Sequence, residues 1–107
     1  MHEIEINKFE KLNENRVKLR FATPLYNIYI NEVDALNRIR LPKPELAKRL
    51  NVTKRTVGNW LHALHGAGII KYKYSGVARL NPKIYFSGTK EDYIKAIDEY
   101  ERFKGDL

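Results

Sequence analysis

The rhythm of apolar and polar positions shifts along the chain, and each shift marks an element. Near the N-terminus Ile4 and Ile6 alternate with Glu3, Glu5 and Asn7, and Val17, Leu19 and Phe21 alternate with Arg16, Lys18 and Arg20. A period of two is the mark of a half-buried strand. With Asn13-Glu14-Asn15 as a turn-rich spacer, the two runs predict a β-hairpin within residues 1–22, although Phe9 and Leu12 leave room for a short helix instead. From Leu25 the spacing lengthens. Leu25, Ile28, Tyr29, Val33, Leu36 and Ile39 recur at three- and four-residue intervals, which predicts an amphipathic helix to about Arg38. Thr23-Pro24 offers an N-cap followed by proline at the first helical position, and Leu41-Pro42-Lys43-Pro44 ends the helix.

The stretch Glu45–Ile70, ELAKRLNVTKRTVGNWLHALHGAGII, predicts two short helices joined by a tight turn. Leu46 and Leu50 face inward one turn apart, and Ala47 is small where the second helix crosses the first. Asn51 falls where the backbone enters the left-handed region, which asparagine tolerates best after glycine. Val52 fills the gap after the turn, Thr53 caps the second helix, and Val57, Trp60, Leu61 and Leu64 form its buried stripe. Trp60 lies on that stripe and reads as core rather than as a base-stacking residue. This register is that of a helix–turn–helix. A plain αα-hairpin would not explain the small Ala47. After Ile70 the run KYKY places Lys71 and Lys73 on one face and Ile70, Tyr72 and Tyr74 on the other, up to a Ser75-Gly76 turn. Residues 77–86, VARLNPKIYF, read as a returning strand in which Pro82 marks an edge or a bulge. Thr89-Lys90-Glu91-Asp92 has the form of a capping box, and Tyr93, Ile94, Ile97, Tyr100 and Phe103 give a last helix its apolar stripe, with Gly105 as its stop. The expected fold class is therefore α+β: one winged helix–turn–helix domain over 1–107, with an N-terminal β-hairpin extension (1–22), a winged-helix core (24–88) and a C-terminal helix (89–105).

Charge changes the picture. The net charge of +7 is unevenly spread: residues 1–40 carry +1, residues 41–88 carry +8 and residues 89–107 carry −2. In the middle segment Glu45 is the only acid against nine Lys/Arg. A surface selected for solubility mixes both signs, whereas a one-sided basic segment is the footprint of a phosphate backbone. Composition excludes other classes. The chain has no cysteine, so thiol nucleophiles, disulfides and zinc–thiolate sites are absent. It has no glycine-rich phosphate loop, and its only serines, Ser75 and Ser87, fall in turns. His62 and His65 have metal-ligand spacing but no carboxylate close in sequence. An enzyme, a metal and a cofactor are accordingly not expected. No apolar run is long enough for a membrane span and MHEIEINK is not a signal segment, so a cytoplasmic location is expected.

The outward side chains of the second helix (54–65) are the candidate base contacts: Thr53, Lys54, Arg55, Thr56, Asn59 and His62. Arg55 can pair bidentately with guanine and Asn59 with adenine. Gly58 admits two readings, close approach to DNA or close helix packing. Lys43, Lys48 and Arg49, with Lys71, Lys73, Arg79 and Lys83 of the wing (70–86), are the candidate backbone contacts, and Arg79, just past the Ser75-Gly76 tip, is the candidate for minor-groove insertion.

ELAKRLNVTKRTVGNWLHALHGAGII followed by KYKYSGVARLNPKIYF resembles the winged helix–turn–helix superfamily of DNA-binding proteins over about residues 25–88. Over a shorter stretch, Gly76 to Gly88 with Asn81-Pro82 and Phe86-Ser87-Gly88, the chain also resembles the RepL-type plasmid replication proteins. The first resemblance implies double-stranded DNA as partner and, as the leading expectation, a transcriptional regulator. The second implies replication initiation or segregation of a plasmid or virus. A third reading keeps the fold as a protein-interaction module. A homodimer is expected from the need to read two half-sites. Tyr93, Ile97, Tyr100 and Phe103 of the last helix are the candidate dimer stripe, with packing on the domain's own core as the alternative. The N-terminal hairpin or the C-terminal helix is also the candidate surface for a protein partner.

Overall fold

The computed structural model describes residues 3–10, 12 and 17–107, with the backbone alone at 17 and 18. Strand β1 (Glu3–Asn7) is followed by helices α1 (Val17–Phe21) and α2 (Thr23–Glu32) and strand β2 (Arg38–Arg40). Helices α3 (Lys43–Leu50) and α4 (Lys54–Gly66) come next, then strands β3 (Ile70–Tyr72), β4 (Val77–Leu80) and β5 (Tyr85–Thr89) and helix α5 (Lys90–Arg102). The architecture is α+β, with α3–α4 as the helix–turn–helix and β3–β4 as the wing.

The N-terminal hairpin is corrected. Its first strand forms, but its partner comes from the other end of the chain: β1 pairs antiparallel with β5, Glu3 opposite Thr89 and Asn7 opposite Tyr85. The second run, Val17–Phe21, is helical. Alternation would put Leu19 and Phe21 on one face, yet Leu19 is buried and Phe21 is 64% exposed. Burial of Leu19, Ala22, Leu25, Tyr26 and Tyr29 follows the helical period instead, and α2 continues it. The intended turn, Asn13-Glu14-Asn15, lies outside the described residues. Phe9 and Glu10 are helical, as the alternative allowed, and the Phe9 ring stacks on Tyr26 with centroids 3.8 Å apart.

Helix α2 stops at Glu32, well short of Arg38. Thr23 is not its N-cap; Ala22 is, and the amide of Ala22 donates to Leu19 O of α1 at 3.0 Å. Asp34 explains the early stop. Its Oδ1 accepts from the amides of Leu36 and Arg38, both at 2.9 Å, so the chain turns where a helix would have continued. Asn37 then takes a left-handed conformation (φ 60°) and buries its amide, donating to Leu80 O at 3.1 Å and Tyr85 O at 2.7 Å. That side chain ties β2 to the ends of β4 and β5. The released strand β2 joins a three-stranded antiparallel sheet in the order β2-β4-β3.

The returning strand is likewise split. Pro82 sits in a turn, where Asn81 Oδ1 accepts from Lys83 N and Asn81 O from Ile84 N, each at 2.9 Å. β4 ends before it and β5 leaves in a new direction to meet β1. Helix α5 begins as expected, Thr89 Oγ1 accepting from Asp92 N at 3.1 Å. The core lies between the helices and the inner face of the sheet, with Leu25, Leu46, Val57, Leu61, Leu64, Ile69, Tyr72 and Leu80 all buried.

Candidate nucleic-acid interface

The helix–turn–helix forms residue by residue as its sequence requires. Asn51 adopts the left-handed conformation (φ 54°, ψ 48°) at the end of α3, and Val52 N donates to Ala47 O at 3.0 Å. Thr53 Oγ1 accepts from Thr56 N at 3.1 Å, capping α4, and Thr53 Oγ1 also lies 3.0 Å from Thr56 Oγ1. Val57, Leu61 and Leu64 have no exposed surface, and Trp60 is half-buried against the core. The opposite side of α4 is open: Thr53, Lys54, Arg55, Asn59 and His62 are exposed and Thr56 is half-buried. Arg55 and Asn59, four residues apart, share a face. Among the described residues no carboxylate pairs with Lys48, Lys54 or Arg55.

Gly58 is not required by packing. Among the described residues a Cβ built there would meet only Lys43 Nζ, at 3.6 Å. The close-packing reading therefore falls, and the glycine faces open space beside a lysine.

The wing is organised differently. Register places Arg38 of β2, Arg79 of β4 and Lys71 of β3 in one row across the sheet. Helix α5 lies along that row. Glu99 is 3.6 Å from the Arg79 guanidinium and 3.8 Å from that of Arg38. Lys71 Nζ donates to Tyr100 O at 2.7 Å, satisfying a carbonyl of the last helical turn, and stands 4.5 Å from the centre of the Tyr100 ring. Burial pushes the Tyr100 phenol up to about 12. Phe103 lies under two more cations, Arg79 at 4.6 Å and Lys73 at 5.1 Å. Lys83 is exposed, 3.9 Å from Glu101. Arg79, the candidate for minor-groove insertion just past the Ser75-Gly76 tip, is held among Glu99, Phe103 and its own strand.

The candidate dimer stripe is used within the chain. Tyr93 packs edge-on against Phe86 with centroids 5.2 Å apart, Tyr100 and Phe103 cover the wing, and Ile97 faces Asn81, Pro82 and Lys83 across a cleft of about 80 Å³. After α5 the chain runs beside the free edge of β3, where Asp106 N donates to Tyr72 O and Asp106 Oδ2 accepts from Tyr74 N, both at 2.8 Å. Gly105 is needed for that approach rather than as a helix stop: its Cβ would fall 2.9 Å from the Tyr72 backbone.

Two further points escaped sequence reasoning. Arg49 of α3 forms a two-pronged pair with Glu32 of α2, whose carboxyl is held below the usual range by that hydrogen bond. Tyr74, expected on the same face as Ile70 and Tyr72, is 66% exposed where those two are buried. The strand ends at Tyr72, so the alternation that placed Tyr74 stops two residues before it.

No helix of the described residues is long and apolar enough to cross a membrane. No curated protein and no solved structure matches the chain. The profile of one family, the Firmicute plasmid replication protein (RepL), matches residues 12–106, which takes in both helices of the helix–turn–helix, the whole wing and the helix that lies over it. With that span covered, the chain belongs to the RepL family of plasmid replication proteins.

Proposed function

We propose that the protein acts in plasmid replication by binding a specific double-stranded DNA site, with the N-terminal half of α4 in the major groove. The observation that carries this reading is the open face of α4. Arg55 and Asn59 project from it together, backed by the fully buried Val57, Leu61 and Leu64, and flanked by Lys48 and Lys54 with no carboxylate partner among the described residues. A buried stripe fixes the helix, and an unpaired basic face frees its side chains for bases and phosphates. Family membership supports an origin site over a promoter operator, so replication displaces transcriptional regulation as the leading reading.

The test is binding of duplex fragments tiled across a plasmid origin, against a scrambled duplex of equal length. One fragment should bind preferentially. Arg55→Ala and Asn59→Ala should each cost about 1–3 kcal/mol on that fragment and much less on the scrambled duplex. Equal affinity for both duplexes, or two silent substitutions, would remove the proposed readout. Absent or salt-insensitive binding would favour the protein-interaction reading.

A further inference from the structure

Lys43 stands at an unfavourable place for a cation. It is the first residue of α3, where the helix dipole presents its positive end, and among the described residues no carboxylate pairs with it. Its ammonium nevertheless lies between two elements. On one side lies Gly58 of the recognition helix, whose missing side chain leaves the space 3.6 Å from Nζ. On the other lies the exposed ring of Tyr74, 5.5 Å from Nζ to the ring centre. One lysine thus bridges the recognition helix and the wing tip.

The bridge is built into the fold. Gly76, at φ 97°, presses against the segment leading into α3: a Cβ there would stand 2.7 Å from Pro42 N. Leu41 N donates to Gly76 O at 2.9 Å, and Gly76 N donates to Lys73 O at 2.8 Å, closing the turn. Asp106 holds the Tyr74 amide from the other side. The wing-tip backbone is therefore locked to the start of α3, which keeps the Tyr74 side chain within reach of Lys43.

The geometry points to a phosphate seat formed by Lys43, Gly58 and Tyr74 in the crease between the recognition helix and the wing. It takes one backbone phosphate of duplex DNA flanking the groove that α4 enters. Lys43 supplies the charge, Gly58 the clearance, and Tyr74 is a positioning residue whose π face holds the ammonium in the crease. This inference rests on the DNA-binding reading above and adds to it a wing residue that the base-reading helix does not contain. It also assigns the wing's contact to its tip, since Arg79 is taken by α5.

A phosphate contact and its positioning residue separate by salt dependence. Binding of the preferred duplex is measured by fluorescence anisotropy over a salt series for wild type, Lys43→Gln, Tyr74→Ala and Tyr74→Phe, with Arg55→Ala as reference. Lys43→Gln should lower the slope of log affinity against log salt by about 1. Tyr74→Ala should weaken binding roughly threefold or more while leaving the slope unchanged, because the charge remains but is no longer held. Tyr74→Phe keeps the ring and should bind as wild type. Both side chains reach the surface, so unchanged thermal unfolding serves as the folding control. An unchanged slope for Lys43→Gln, or equal binding by Tyr74→Ala and Tyr74→Phe, overturns the seat. If wild type binds and Arg55→Ala weakens it while Lys43→Gln and Tyr74→Ala are silent, only the seat fails. If wild type does not bind duplex DNA, the DNA-binding reading fails with it.

Discussion

The helix–turn–helix and the wing carry similar densities of Lys and Arg, but the fold treats them in opposite ways. In α3–α4 the turn, the cap and the buried stripe are made by residues close in sequence: Asn51 turns the chain, Thr53 caps α4, and Leu46, Val57 and Leu61 pack beneath. Lys48, Lys54 and Arg55 are left without acidic partners among the described residues. In the wing the cations are met by a distant segment. Helix α5 and Phe103 just after it bring Glu99, Tyr100 and an aromatic ring onto Arg38, Lys71, Lys73 and Arg79. A basic sequence is therefore not yet a basic surface. What counts for a phosphate is the cation left unpaired after folding.

The strongest challenge to this contrast is to the shared core beneath both regions. Leu61 is fully buried, and α4 packs on β3 as well as α3. Leu61→Ala should cost about 2–5 kcal/mol of stability, read by chemical denaturation. Amides of α3, α4 and β3 should lose exchange protection together. If β3 kept its protection, the wing would stand independently of the helices, and the two regions would be separate folding units.

Gly76→Ala strikes the join alone. The substitution places a Cβ 2.7 Å from Pro42 N at a positive φ, so strain of about 1–3 kcal/mol is expected. Exchange protection should fall at Leu41 and in the 73–77 turn while α4 keeps its own. A silent substitution would show that the wing tip has room to shift, and would weaken its coupling to Lys43.

Gly58→Ala should separate stability from binding. Nothing among the described residues needs glycine there, so alanine should stabilise α4 by up to about 1 kcal/mol. Affinity for the preferred duplex should fall even so, because the methyl group narrows the space beside Lys43. Melting temperature and anisotropy on one preparation check both signs. Higher stability with unchanged affinity would leave the glycine without a role at the interface.

The same contrast explains what the sequence makes legible. Asn51, Thr53 and Val57 could be placed from residues within two turns of each, because turn chemistry and helical period act over that range. Val17–Phe21 could not, since five residues fit a period of two as well as one of 3.6 until burial chooses. The overrun of α2 had a visible signal in Asp34 and Asn37, whose side chains compete with helical hydrogen bonding, but Val33, Leu36 and Ile39 kept the helical spacing and masked it. The role of Arg79 depended on Glu99 and Phe103, and the pairing of β1 on β5. No local pattern encodes contacts between such distant parts of a chain. For the same reason the outward residues of α4 were readable as a set, while the meeting of Lys43 with Gly58 and Tyr74 emerged only when three elements came together.

The smallest effect asks which of the paired arginines face DNA. Arg49 is held by Glu32 beside the recognition helix, and Arg38 and Arg79 by Glu99 on the wing. Because the arginine's hydrogen bonds keep the Glu32 carboxyl ionised below the ordinary carboxylate range, that pair persists throughout neutral pH and loosens only as pH falls through the lowered value. Exposed pairs of this kind are worth less than about 1 kcal/mol, so freeing an arginine should change affinity by no more than about fivefold. Glu32→Gln releases Arg49 at the edge of the helix–turn–helix and should raise affinity and steepen the salt dependence. Glu99→Gln adds the same charge to the molecule but leaves Arg79 against Phe103 and Lys71 against Tyr100, so its effect should be smaller. Titrations of both variants over one salt series provide the comparison. Equal gains would mean that net charge alone draws the protein to DNA. A larger gain from Glu99→Gln would mean that the face under α5 is itself a DNA surface, uncovered when the helix lifts.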